Sequence, residues 1–336
     1  MSGPLRLTAP EEALARLLAL LPGPVAPRTV PVAAALGRVL AADLVAPGPV
    51  PIAPMALQEG WAVVAAETLG AGPYASVPLA ATPVRVAPGD LLPAGADAVL
   101  PPFALALDGP FAQVLEPVAP GEGVRLPGEE VAADTVLRRA GERLAPRDLP
   151  ALLACGIAEV AVRVPRLGWA GAAALRPLFA ALVAAEGAEL AEGDANLVLL
   201  AGGPEALGAA PLLQGLGARP GMTVGLGMAD CRPALLLSTR AEEALAAWYL
   251  LGRPALRHLA GAPPPAPIQA RLARKVASTV GLLEIVPVRL LAPDLAEPLA
   301  VGALPAGLLA AADALLLVPP GVEGFEAGTA VALQPL

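Results

Sequence analysis

Every long apolar run in this chain is broken by proline or glycine. The longest stretch without Asp, Glu, Lys or Arg is Thr68–Val84, and it holds Pro73, Pro78 and Pro83 together with Gly70 and Gly72. Another, Leu44–Gln58, holds four prolines. Proline lacks the backbone donor and its ring clashes with the preceding turn, so neither stretch can span a bilayer as an unbroken apolar helix. Without that punctuation, a composition 56% hydrophobic and only 15% charged would suggest a membrane protein. Glu11, Glu12 and Arg16 interrupt what would be the apolar region of a signal peptide. The expectation is a soluble cytoplasmic protein with no membrane partner.

At 336 residues the chain exceeds one compact core and has room for two to four domains. Its 22 basic and 30 acidic residues leave a net charge of −8 with no Lys/Arg run, which argues against a nucleic-acid partner, because phosphate neutralisation needs a basic face. Two cysteines, Cys155 and Cys231, lie far apart in apolar company, and the reading is buried free thiols. With one histidine, His258, and no CxxC pair, no zinc site can be built, and a Ser-His-Asp triad is not expected. The chemistry left to the chain is that of carboxylates, backbone amides, arginine or a bound ion.

Local patterns divide the chain. Pro10–Leu21 reads as an amphipathic helix with Thr8 as N-cap and acids in its first turn, and a second helix is expected over Val32–Leu40. From Val45 to about Arg139 the texture is short apolar segments between Pro and Gly, a small all-β module. Pro146–Cys155 reads as helix and Ile157–Val164 as an alternating strand. Arg166–Gly261 alternates strand and helix, ending on a helix over Ala241–Leu251, which predicts a mainly parallel sheet flanked by helices. After the Pro-rich linker Ala262–Pro267, strand-like pieces over Gln269–Leu336 fit a terminal β-barrel.

The string ALGRVLAADLVAP at Ala35–Pro47 resembles the opening signature of the molybdopterin molybdenumtransferase family (MoeA or gephyrin E-domain type), with Gly37, Arg38, Val39, Leu40 and Asp43 in register. Glu59-Gly60-Trp61-Ala62-Val63 stands where the family has D-G-Y-A-V, Leu92–Val99 (LPAGADAV) is similar to the next family anchor, and Pro120–Val131 (PGEGVRLPGEEV) to the following one. The resemblance implies a multidomain α+β fold: a linker domain of residues 1–44 plus 140–165 interrupted by a β-rich module at 45–139, an α/β molybdopterin-binding-like domain at 166–262, and a C-terminal β-barrel at 263–336. It also implies molybdenum cofactor biosynthesis, in which molybdate is inserted into adenylylated molybdopterin, with Mg2+ held by carboxylates and the protein a two-fold homodimer. Carried onto this sequence, the site consists of Glu59 and Glu130 as catalytic and metal-binding acids, Arg125 and Arg219 as phosphate or molybdate ligands, and Gly202 and Gly203 as a loop close to the pterin phosphate.

The sequence also departs from the family pattern. Pro88 replaces a threonine, Pro102 an acid, and the T-G-D-E-L segment expected after the strand at Leu167 is a plain apolar run, Ala170–Ala174. Glu205 and a residue near Ala210 stand in for a serine and an aspartate, Met222 for a lysine, and Leu237-Ser238-Thr239-Arg240 for the L-P-G-N-P turn. Three readings stay open: a divergent working transferase, a non-catalytic member acting as molybdopterin-binding scaffold or regulator in cofactor delivery, and a structural dimer without ligand.

Overall fold

A computed structural model describes residues 7–72, 74–108, 111–207 and 211–336. The chain forms two compact units. The first comprises the N-terminal segment to Ala42, Ala140–Ala145 and Glu159–Leu336; the second comprises Asp43–Arg139 and Pro146–Ala158. The multidomain α+β class is therefore observed, with a discontinuous β-rich insertion, a central α/β sheet and a terminal barrel.

The second unit follows from its punctuation: strands of two to four residues in a segment dense in Pro and Gly. Gly60–Val63 pairs with Val84–Val86 and Ala98–Leu100, and Phe111–Val114 pairs with Val77–Leu79 and Leu105–Asp108. Gly60 is demanded by this packing, since a Cβ there would lie 2.2 Å from the Leu100 carbonyl oxygen. The unit's one α-helix among the described residues is Leu149–Ala154.

In the first unit the helix Pro10–Leu20 buries Ala13 and Leu17, one turn apart, against the main core. Thr8 does not cap it. Ala9 occupies the cap position without a side-chain bond, and Thr8 pairs instead with Leu216 in a β-bridge. Pro10 at the first helical position tolerates this, because its missing N–H needs no cap. The helix expected over Val32–Leu40 stops at Ala35; Gly37 turns the backbone at φ +76°, and Val39–Leu40 joins the strand Glu159–Arg163.

The α/β sheet has the spatial order 189–190, 166–171, 197–201, 232–237, 225–229, 213–214; the first four strands are parallel, and 225–229 runs antiparallel between 232–237 and 213–214. Leu197–Ala201 is buried at all five positions, as a central strand covered on both faces requires. One face packs on the main core, where Trp248 meets Phe179 edge-on at 5.9 Å. The closing helix does not end at Leu251. Ala241–Ala247 passes through a wide π-type turn at Trp248–Gly252 and continues as Arg253–Ala260. Pro254 can donate no helical hydrogen bond, and the widened turn absorbs it without ending the element. Cys231 is exposed rather than buried, because Asp230 and Cys231 form the two-residue hairpin turn before Arg232, both at positive φ.

The terminal barrel closes through five strands, 283–292, 295–298, 268–272, 330–335 and 314–318, the last pairing back to the first. Ala270, Leu272, Val286, Val288, Leu316 and Leu333 fill its interior. A sixth strand, Ala218–Arg219, runs parallel to Leu283–Glu284 on its rim. Among the described residues, no helix is long and apolar enough to cross a membrane.

Candidate functional site

In the second unit, Glu59 immediately precedes the strand that Gly60 locks in place. Its Oε1 accepts from Arg85 Nη2 at 2.5 Å, and the Arg85 guanidinium lies 5.9 Å above the Trp61 ring. Arg125 stands on the two-residue strand that pairs with Met55–Ala56, and its guanidinium is ion-paired with Glu130. Between them Gly128 turns at φ +76° and the Glu129 carboxylate accepts from Leu126 N at 2.8 Å. Arg125 and Glu130 are therefore brought together, whereas Glu59 takes a different cation. Both pairs are a third or more exposed, so each contributes only about 0–1 kcal/mol, and either arginine can exchange its carboxylate for an incoming anion at small cost.

In the first unit, sheet topology marks a candidate ligand edge of its own. The strand Arg166–Gly171 connects outward to Glu189–Leu190, and Leu197–Ala201 connects in the opposite direction toward Arg232–Leu237. Crevices for ligands in open α/β sheets form beyond the carboxyl ends of strands where the order reverses, which here is between Gly171 and Ala201. The edge is tightly built. Ala172 N donates to Ala201 O at 2.8 Å, and Gly202 N donates to Leu237 O at 3.1 Å. A Cβ on Gly171 would lie 2.0 Å from that same Ala201 oxygen. Gly202 and Gly203 stand at this edge, and so does Ser238, nearly buried, with Arg240 N donating to its Oγ at 3.1 Å.

The edge carries little positive charge. Arg240 is ion-paired with Glu242, and the Glu205 carboxylate folds back over Gly203, within 2.3 Å of where a Cβ would stand. Ala210 lies outside the described residues. Arg219 belongs to a different sheet, on the barrel rim. Its Nη1 donates to Glu284 Oε1 at 3.0 Å, and Glu284 is 2% exposed. The glycine pair and Arg219 thus share a unit without sharing an edge. No group of three His, Cys, Asp or Glu gathers among the described residues, and Glu59 and Glu130 are each engaged by a guanidinium. This donor set does not fit Mg2+, which requires several oxygen ligands around one point.

The strongest electrostatic feature of the first unit is one that sequence reading missed. Glu186, at the end of the helix Arg176–Ala185, is 6% exposed and meets Arg143, Arg253 and Arg257. Burial alone would raise its pKa, but the three guanidiniums outweigh burial and hold the carboxyl below its ordinary range. The one available signal was the Arg253/Arg257 spacing of four on a helix; Glu186 and Arg143 come from remote segments.

Two descriptions of one family match the chain: the MoeA N-terminal region (domain I and II) over residues 8–156, and the MoeA C-terminal region (domain IV) over residues 269–336. Molybdopterin molybdenumtransferase 2 of Mycobacterium tuberculosis (strain ATCC 25618 / H37Rv) is 28% identical over 311 residues, covering 71% of this chain and 76% of that protein. Molybdopterin molybdenumtransferase of Haemophilus influenzae is 29% identical over 164 residues, 45% of this chain and 40% of that protein. The crystal structure of molybdopterin biosynthesis MoeA protein from Pyrococcus horikoshii OT3 has a TM-score of 0.73 and 24% identity, covering 98% of this chain and 100% of that chain. A second structure of the Pyrococcus protein has a TM-score of 0.76 with 23% identity over 98% of this chain and 99% of that one. These two establish likeness of fold. With family segments at both ends, in order, together spanning more than half of its length, this chain belongs to the MoeA family.

Proposed function

We propose that this chain acts in molybdenum cofactor biosynthesis as a molybdopterin molybdenumtransferase, taking adenylylated molybdopterin and molybdate as its ligands. The observation that carries this reading is the alignment of 71% of the chain with a relative bearing that name. In this reading Arg125 and Arg219 hold phosphate or molybdate. Gly203 presents its backbone amide to the pterin phosphate once the Glu205 carboxylate has swung aside, while Gly202, whose N–H is held by Leu237 O, keeps the loop close to it. Glu59 and Glu130 are the acids of the site and leave their arginines when the anion arrives. No step is assigned to Mg2+, because the donor set does not fit it.

The test is molybdate-dependent conversion of adenylylated molybdopterin by the purified protein, read beside ligand binding. Binding is expected together with slow turnover, since the family's threonine, lysine and Asn-Pro turn are replaced here. Arg125→Ala is expected to weaken binding by about tenfold, the loss of one charge-assisted hydrogen-bonding partner. Binding without any turnover would make the chain a carrier rather than a transferase, and absence of both would remove the reading.

A two-fold homodimer goes with this proposal. Ile52, Leu69, Phe103 and Phe111, all in the second unit, are between 63% and 75% exposed, apolar surface that a partner copy would cover in this reading. Sedimentation is expected to return about twice 33.4 kDa, and a monomer mass at micromolar concentration refutes the dimer. A cytoplasmic location accompanies the same reading and is checked by cell fractionation.

A further inference from the structure

We propose that the arginine cluster around Glu186 is a binding site for a doubly charged tetrahedral oxyanion of the phosphate type. Three guanidiniums converge on one side-chain carboxylate, so the side chains of the cluster carry two positive charges in excess, with the chain end at Leu336 lining the same cavity. Arg253 and Arg257 stand one turn apart on the helix Arg253–Ala260, and Arg143 enters from a distant loop. Their side chains are only 14%, 15% and 30% exposed, so the surplus charge is poorly reached by water. Such a surplus is costly to bury until an anion neutralises it.

The donors are part used and part free. Arg143 Nη1 donates to Ala185 O at 2.7 Å, and Arg253 donates from Nε to Glu186 at 2.6 Å and from Nη1 to Pro335 O at 2.6 Å. Arg257 reaches Glu186 through Nε at 3.3 Å, and among the described residues its two terminal nitrogens have no hydrogen-bond acceptor. Those nitrogens face open space. A cavity of about 300 Å³ is lined by Arg143, Glu186, Tyr249, Arg253 and Arg257, and a groove of about 540 Å³ shares Tyr249, Arg253 and Arg257. Either volume admits a tetrahedral oxyanion, and the paired guanidiniums supply the planar donor arrays that such an anion takes bidentately.

Two further effects agree with this. Burial, followed by repulsion from Arg253 and Arg143 against the attraction of Glu186, pushes the Arg257 guanidinium below its ordinary range, as expected where cations outnumber anions. Burial also pushes the Tyr249 hydroxyl up, so that it remains protonated and able to donate. The cluster is separate from Arg219 and from the Gly202–Gly203 edge, and the proposal does not depend on the transferase reading.

The test is equilibrium dialysis of the full chain against radiolabelled inorganic phosphate at fixed ionic strength, with circular dichroism confirming that each variant is folded. Saturable binding is expected, with Arg257→Gln raising the dissociation constant by at least about tenfold, while Arg289→Gln, at an exposed arginine paired with Glu297 on the barrel, leaves it unchanged. Glu186→Gln removes the competing carboxylate and is expected to tighten binding, a change of sign that a purely structural role does not produce. If Glu186→Gln fails to fold, the Arg257→Gln and Arg289→Gln comparison alone decides. Absence of saturable binding, or equal binding by wild type and Arg257→Gln, overturns the proposal.

Discussion

Replacing Glu186 by alanine is expected to lower the unfolding free energy by about 3–5 kcal/mol, the cost of leaving buried cations without their counter-ion. The side chain is 8% exposed and is the shared partner of Arg143, Arg253 and Arg257, which join the helix Arg176–Ala185 to the loop at Arg143 and to the helix Arg253–Ala260. Urea unfolding followed by tryptophan fluorescence measures it, since Trp169 and Trp248 both pack with Phe179 in the core beside the cluster. A loss below about 1 kcal/mol, the range of an exposed ion pair, shows that solvent already screens the cluster. The pH dependence has a definite sign. The Glu186 carboxyl is held below its ordinary value of 4.5, so its contribution is complete above that value. It is lost as the pH falls through the lower folded-state value. The Glu186→Ala protein should lack this part of the acid limb while sharing the rest of the profile.

Gly171→Ala is expected to cost about 2–4 kcal/mol, by two separable effects. The backbone there has φ +92°, which an L-residue adopts only with strain, and the new Cβ would stand 2.0 Å from the Ala201 carbonyl oxygen. That oxygen accepts from Ala172 N, so relief of the clash has to part the two central strands at their carboxyl edge. Gly193 supplies the comparison, because its φ is also +92° and nothing lies within 4 Å of its Cβ position. Gly193→Ala should show only the conformational part, about 1–2 kcal/mol. Equal losses from the two substitutions in urea melts mean that the close approach at the switch point costs nothing. A larger loss at Gly171 with faster amide exchange at Ala172 and Gly202 locates the damage at the candidate ligand edge.

Much of the fold could be read before any coordinates. The uninterrupted apolar run at Leu197–Ala201 announces a strand buried on both faces, and the alternation over Ile157–Val164 announces one with an interior and an exterior face, as Glu159–Arg163 has. Frequent Pro and Gly across 45–139 limit elements to a few residues, and the second unit consists of such strands. The family signature at Ala35–Pro47 and its successors placed Glu59, Arg125 and Glu130 near the pattern that carries them. Their roles as ligands remain a proposal, because motif register locates a residue along the chain and says nothing about which neighbour neutralises it. Arg125, for which Glu122 and Glu129 are nearer neighbours along the sequence, pairs with Glu130, while those two carboxylates accept from Ala119 N and Leu126 N in their own turns.

The sequence by itself determined the strands, most helices and the order of domain types, because apolar periodicity and Pro/Gly punctuation act within a few residues. Tertiary structure alone decided that Thr8 leaves the cap for a bridge to Leu216, that Ala314–Val318 returns to Leu283–Ala292 to close the barrel, and that the helix carrying Trp248 absorbs Pro254 in a widened turn. It also decided the charge pairing: Arg219 with Glu284, 65 residues away, and Arg253 with Glu186, 67 away. Local propensity is a matter of a few tenths of a kcal/mol per residue, so burial and a counter-ion brought into contact by the fold override it. Those contacts join residues whose separation along the chain carries no periodic signal.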